Sequence, residues 1–283
     1  MKLFRRSADL REYMRSRRTN NRSVGFVPTM GALHAGHLSL IELSAAQNQQ
    51  TVCSIFVNPT QFNDPADLAK YPRTPGRDLE LLAAAGCQVT FLPSVEEVYP
   101  VGLDTSLDLN FSPLDTVMEG AERPGHFAGV AQVVHRLLEL VRPDRLYLGQ
   151  KDYQQVAIIQ ELLRQTESAV VPVVVPTVRE ADGLAMSSRN VRLTEELRAA
   201  APAIYRALGE LRTDLLAGTG LETARAAALR TLTDTPGLRP EYLSVFDGRS
   251  LQPIGGTEGV DSVVAAAAVW AGEVRLIDNI VVI

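Results

Sequence analysis

The chain has few cysteines, no surplus of positive charge and no long hydrophobic run. Its 283 residues include only 2 Cys, too few for a disulfide framework. Cys53 lies within an apolar run and Cys87 follows a glycine, so both read as small core residues. The longest near-continuous apolar stretch, Val263 to Ala271, is about half of what a membrane span needs. Lys and Arg number 28 against 33 Asp and Glu, a net charge of −5. That excludes the broad basic field of a sequence-independent nucleic-acid binder. A local basic pocket for a small anion stays open. The first residues, MKLFRRSADLREYMRSRR, are basic but lack an apolar core, so they do not read as a secretory leader. Asp9 and Glu12 argue against a transit sequence, and the cytoplasm is the default location. GxxxxGK[ST], GxGxxG, GxSxG and CxxC are all missing. Any nucleotide site must be built from other parts.

Apolar residues make up 46% and charged residues 22%, an ordinary globular balance. At ~150 residues per domain, the length allows one large domain or two modest ones. Strand and helix signals alternate over the first two thirds. Strands are expected at Val24 to Thr29, Thr51 to Val57, Val89 to Leu92, Leu146 to Leu148 and Val170 to Val175. Helices are expected at Leu38 to Gln47, Leu79 to Ala85, Val130 to Val141 and Tyr153 to Leu163. This rhythm implies parallel strands with right-handed crossovers, and ligands at the carboxyl ends of the strands. After Gly183 the pattern changes. One long helix is expected from Thr194 to Gly218 and another from Leu221 to Thr233. Strand-like runs follow at Tyr242 to Phe246, Val263 to Trp270 and Val274 to Ile283. The expected domains are residues 1–178 and 179–283.

Three segments could carry chemistry. The richest is Pro28 to His37, PTMGALHAGH, between a strand end and a helix start. Gly31 and Gly36 allow close backbone approach to a ligand. His34 and His37, three residues apart, point the same way on a first helical turn. With free N–H groups and a helix dipole, they make a site for phosphate oxygens. A zinc reading is weaker, because the HExxH glutamate is missing. The second segment is Gly149-Gln150-Lys151-Asp152, again at a strand end. Lys151 is a compact charge suited to phosphate. Asp152 is a helix cap, a ribose contact or a metal ligand. The third is the polar loop Arg179 to Asn190, where Ser187, Ser188 and Arg189 could wrap a triphosphate. Smaller candidates are Asn58 to Gln61 and one of Gln154 and Gln155. Arg123 and His126 fit a ligand contact or a structural turn equally well. His135 reads as structural. Asp78 is a magnesium candidate or only a helix-dipole partner.

PTMGALHAGH, FVNPTQF, YPRT, RPGHFAGV, LYLGQKDYQQ and READGLAMSSRN together resemble the pantothenate synthetase (pantoate–β-alanine ligase) family, in that family's order and spacing. The resemblance implies the HIGH-type nucleotidyl-transferase superfamily. His34-Ala35-Gly36-His37 is similar to the HIGH signature, and Met186 to Arg189 to the second, mobile phosphate loop. It implies an α/β fold: a Rossmann-like parallel sheet in the N-terminal domain, then a smaller α+β C-terminal domain. It implies ATP-dependent condensation of pantoate with β-alanine through pantoyl adenylate, with Mg²⁺, in a homodimer. By position, Met30, Gly31, Ala32, Leu33, His34, Ala35, Gly36 and His37 resemble the first ATP-binding segment, with His37 as general acid. Gly149, Gln150, Lys151, Asp152, Val178, Met186, Ser187, Ser188 and Arg189 resemble the remaining ATP contacts. Gln61 and Gln155 resemble pantoate contacts, with Gln61 also near β-alanine. The chain departs from the family at Ala35 and Gln150, where glutamate is common.

Overall fold

A computed structural model describes residues 1–18, 22–62 and 65–283. The chain forms two compact units. The first comprises 1–111, 123–150 and 155–176, and the second comprises 112–122, 151–154 and 177–283. Residues 112–122 and 151–154, together with 177 and 178 at the boundary, are expected in the first domain but lie in the second unit. Side-chain bonds account for the two stretches. Gln154 donates to the carbonyls of Leu114 and Val117 at 2.7 and 2.8 Å, and the Tyr153 hydroxyl donates to the carbonyl of Gly248 at 3.0 Å.

The first unit holds six parallel strands: β1 (Lys2–Phe4), β2 (Val24–Thr29), β3 (Gln50–Ile55), β4 (Val89–Phe91), β5 (Arg145–Gly149) and β6 (Val171–Val175). Their order is β1-β4-β3-β2-β5-β6. β2 pairs with β3 from Val24↔Gln50 to Thr29↔Ile55, and with β5 at Gly25↔Arg145 and Phe26↔Leu146. Consecutive strands run one way from β2, and the chain later returns to its other side. The carboxyl end of β2 is therefore a switch point, where an open α/β sheet leaves a crevice. The inner strands, β2 to β5, are largely buried, as expected of a sheet covered on both faces. Val27, Leu33, Ile41, Cys53, Leu82, Cys87 and Tyr147 share one core cluster. Burial pushes both thiols up, Cys87 to about 11, which fits inert core residues.

The second unit holds an antiparallel sheet, β7 (Leu238–Asp247), β8 (Val263–Ala271) and β9 (Val274–Val281), in the order β7-β8-β9. Helices Ala203–Leu216 and Leu221–Thr233 share its core through Leu208, Leu211, Ala224 and Leu232. The alanines at 265–268 are buried on β8. The expected long helix from Thr194 is two helices, Glu195–Ala200 and Ala203–Leu216. Pro202 separates them, because it has no N–H to extend the first helix. Thr194 caps the first, accepting the Leu197 N–H. The sequence reading missed β1, whose three residues pair with β4, and the helix Ser7–Arg18.

Candidate active site

The loop after β2 is set by local chemistry. Gly31 has φ +80°, and a Cβ there would lie 2.9 Å from Ile55 Cγ2 and 3.0 Å from Asp78 Oδ2. Both the turn and the close approach require glycine. Ala32 shares the left-handed region at φ 49°. Asp78, 1% exposed, holds this strained turn. Its carboxylate accepts the N–H groups of Ala32 and Leu33 at 3.0 and 2.9 Å, and the Thr74 hydroxyl at 3.1 Å. Both Asp78 oxygens are thus engaged by the loop and by Thr74. The magnesium expectation for Asp78 gains no support from this arrangement. Among the described residues, no three His, Cys, Asp or Glu side chains cluster as a metal site.

The turn delivers His34 as the N-cap of helix Ala35–Gln47. The first N–H groups of a helix lack the usual i−4 acceptor and carry the positive end of its dipole; here the His37 N–H turns back to the His34 carbonyl at 2.8 Å. His37 Nδ1 accepts the His34 N–H at 3.3 Å, and the two rings lie 4.0 Å apart. Nδ1 is thereby an acceptor, so a neutral His37 carries its proton on Nε2.

Gln61 sits in the short turn Pro59–Gln61 after β3 and is buried. Its amide donates to Met30 Sδ at 3.0 Å, joining two sequence candidates directly. Asn58 caps the turn, accepting the Thr60 N–H. It also donates to the Gly129 carbonyl at 3.2 Å. His126 Nδ1 lies 2.8 Å from the Gln61 carbonyl, and Arg123 donates to the same oxygen at 3.3 Å. The RPGHF segment therefore braces the Gln61 turn. A Cβ on Gly129 would stand 2.4 Å from the Thr60 carbonyl oxygen, so helix His126–Val141 approaches the turn only because residue 129 is glycine. Gln155 is half-buried on helix Tyr153–Gln165, while Gln154 is committed to the carbonyls named above. Gly149 ends β5, and Gln150 opens the turn that follows.

The other candidates lie in the second unit. Lys151 Nζ is 3.6 Å from Asp152. Val178 and Met186 face each other across a hairpin, where the Met186 N–H donates to the Val178 carbonyl at 3.0 Å. Ser187 Oγ accepts the Arg189 N–H at 3.2 Å, and Asn190 donates to the Ala185 carbonyl at 3.1 Å. These bonds curl the segment containing Ser188 into a compact turn. Lys151 and Ser187 line one small cavity with Ala185 and Asp278. Sequence reasoning missed three supporting side chains here: the inward pointing of Arg179, and the buried Asp278 and Asn279. The available signal was an adjacent polar pair between the apolar residues Ile277 and Ile280 of the strand.

Comparisons with known proteins bear on the family and the fold. The family model for pantoate-beta-alanine ligase matches residues 2–281. The pantothenate synthetase of Bacteroides thetaiotaomicron is 50% identical over 280 residues, covering 99% of this chain and 98% of that protein. The crystal structure of pantothenate synthetase from Thermus thermophilus superposes with TM-score 0.93 at 43% identity, covering 100% of this chain and 99% of the other. The pantoate-beta-alanine ligase of Francisella tularensis, solved with beta-gamma ATP and beta-alanine, gives TM-score 0.82 at 35% identity, covering 100% and 98%. With a parallel sheet, a two-histidine helix start at its switch point and a match along its whole length, this chain belongs to the pantoate–β-alanine ligase family.

Proposed function

We propose that this chain joins pantoate to β-alanine at the expense of ATP, through pantoyl adenylate, and that the residues described above carry the reaction. A carboxylate oxygen of pantoate attacks the α-phosphorus of ATP, and the bond to pyrophosphate breaks. The β-alanine amine then attacks the acyl carbon. Its C–N bond forms, AMP departs, and the amine proton passes to water. The first nucleophile is already an anion, so it needs no base. The barrier lies in alignment and in charge gathering on the phosphates.

The geometry of His37 carries this reading. Its Nδ1 is held by the His34 N–H at a helix N-terminus. Its Nε2–H is then a fixed donor for a phosphate oxygen that becomes more negative as pyrophosphate leaves. Met30 through His37 hold the nucleotide, with Gly149 to Asp152, Val178 and Met186 to Arg189 as the other contacts. His34, Lys151 and Arg189 add donors and positive charge. Gln61 and Gln155 hold pantoate, and Gln61 also meets β-alanine. Magnesium bound to ATP would offset phosphate charge, and its ligands would be mainly phosphate oxygens and water. The family reading further carries a homodimer in the cytoplasm.

Pantoate-dependent exchange of labelled pyrophosphate into ATP, without β-alanine, tests the reaction class. Exchange that requires pantoate is expected. Exchange with no pantoate present, or none with folded, ATP-binding protein, would overturn the reading.

A further inference from the structure

Strand β9 carries Asp278 and Asn279 between the apolar residues Ile277 and Ile280, both buried, at 4% and 3% exposure. Neighbouring strand residues point to opposite faces, so this pair reaches two different places. Asp278 takes both arms of the Arg179 guanidinium, Nη1 to Oδ2 at 2.6 Å and Nη2 to Oδ1 at 3.0 Å. Arg179 also donates to the Gly183 carbonyl at 3.1 Å and lies 3.7 Å over the Tyr205 ring. Residue 183 must be glycine, since φ is +94° and a Cβ would meet Tyr205 at 2.7 Å. Arg179 therefore staples the hairpin that presents Met186 to Arg189. Asn279 reaches the other phosphate element: its amide donates to the Lys151 carbonyl at 2.8 Å. Across the sheet, Asp278 faces Ala267 and Asn279 faces Ala266. The small partners leave room for two polar side chains within a buried sheet. Lys151, Ser187 and Asp278 line a common cavity.

We infer that Asp278 and Asn279 are positioning residues that hold Lys151 and the Met186–Arg189 turn at a fixed spacing, so that both meet one triphosphate during adenylate formation. The pair touches no reacting atom. It acts through Arg179 and through the Lys151 backbone. This inference rests on the function proposed above and deepens it. Once pyrophosphate has left, nothing remains for that spacing to grip, so the two half-reactions separate the idea from simple structural damage.

The test compares Asn279→Ala with wild type in both half-reactions. Misplacing a phosphate-binding group by about 1 Å costs on the order of 10²-fold, so pantoate-dependent pyrophosphate exchange is expected to fall roughly 10- to 100-fold. Formation of pantothenate from supplied pantoyl adenylate and β-alanine is expected to keep the wild-type rate. Arg179→Lys keeps the charge but loses the two-armed bond, and should show the same split. It also provides the comparison if Asn279→Ala does not fold. An equal loss in both half-reactions, or no loss in either, overturns the inference. Wild type that fails to exchange overturns the proposed function instead, which keeps the two failures distinct.

Discussion

His37 meets two demands with one ring. Its Nδ1 anchors to the His34 N–H, and in the proposed reaction its Nε2–H is the donor to the phosphates. Replacing it with alanine removes the donor and the anchor together. His37→Ala is expected to lower kcat by roughly 10² to 10⁴, the range for a positioned acid or oxyanion donor. Steady-state assays check this, and a near wild-type kcat would contradict it. Asp78 is the residue where function and support are most easily confused. An acid beside a nucleotide loop suggests a metal, yet its oxygens accept the Ala32 and Leu33 N–H groups and the Thr74 hydroxyl. Asp78→Ala leaves those buried donors unsatisfied and is expected to cost about 1–3 kcal/mol of stability. Its requirement for Mg²⁺ should stay at the wild-type level. Thermal melts and a magnesium titration separate the two roles. Unchanged stability with a raised magnesium requirement would restore the metal reading. The histidine pair was readable in the sequence because its spacing and glycines state the geometry. The contact of Asp78 with that loop was not, because the two N–H groups it accepts lie 46 and 45 residues away in sequence.

At the level of elements, strands β2 to β6 of the parallel sheet followed from pattern, though the short edge strand β1 and the helix after it did not, and β2 starts and ends where the apolar run does. Bracing between elements did not follow from pattern. Helix His126–Val141 carries Gly129 against the turn Pro59–Gln61, and its first residue, His126, meets the Gln61 carbonyl. A glycine within a helix reads only as a weak spot until its neighbour is known. Gly129→Ala drives a methyl into the Thr60 carbonyl oxygen. It is expected to destabilise by about 1–3 kcal/mol, as overpacking does. It should also raise the KM for pantoate more than that for ATP, because Gln61 rides on the turn. Melting curves and the two Michaelis constants check this, and equal changes in both would contradict it. The break at Pro202 was in plain view, but the Ala- and Leu-rich run around it masked the stop.

For the whole molecule, the sequence conveyed an α/β sheet followed by a smaller α+β unit. It did not convey that 112–122 and 151–154 fold with the second unit. Those assignments depend on buried polar bonds such as Gln154 to Leu114 and Val117, which leave no periodic trace. Binding energy reaches the entire fold by mass action. Mg–ATP at 100 times its Kd is expected to add about 2.7 kcal/mol of stability. Pantoate should raise Tm further in the presence of nucleotide. A thermal-shift series checks this, and a protein that responds to nucleotide but never to pantoate would be a sensor rather than a ligase.

The proposed chemistry turns on attack of pantoate's carboxylate at the α-phosphorus. Pantoate labelled with oxygen-18 in its carboxylate tests it directly, followed by mass analysis of the nucleotide and phosphate products after full turnover with β-alanine. The expected product is AMP carrying one labelled oxygen, left behind when the amide forms. Label in inorganic phosphate, with ADP as the nucleotide product, would mean attack on the γ-phosphorus and would contradict it.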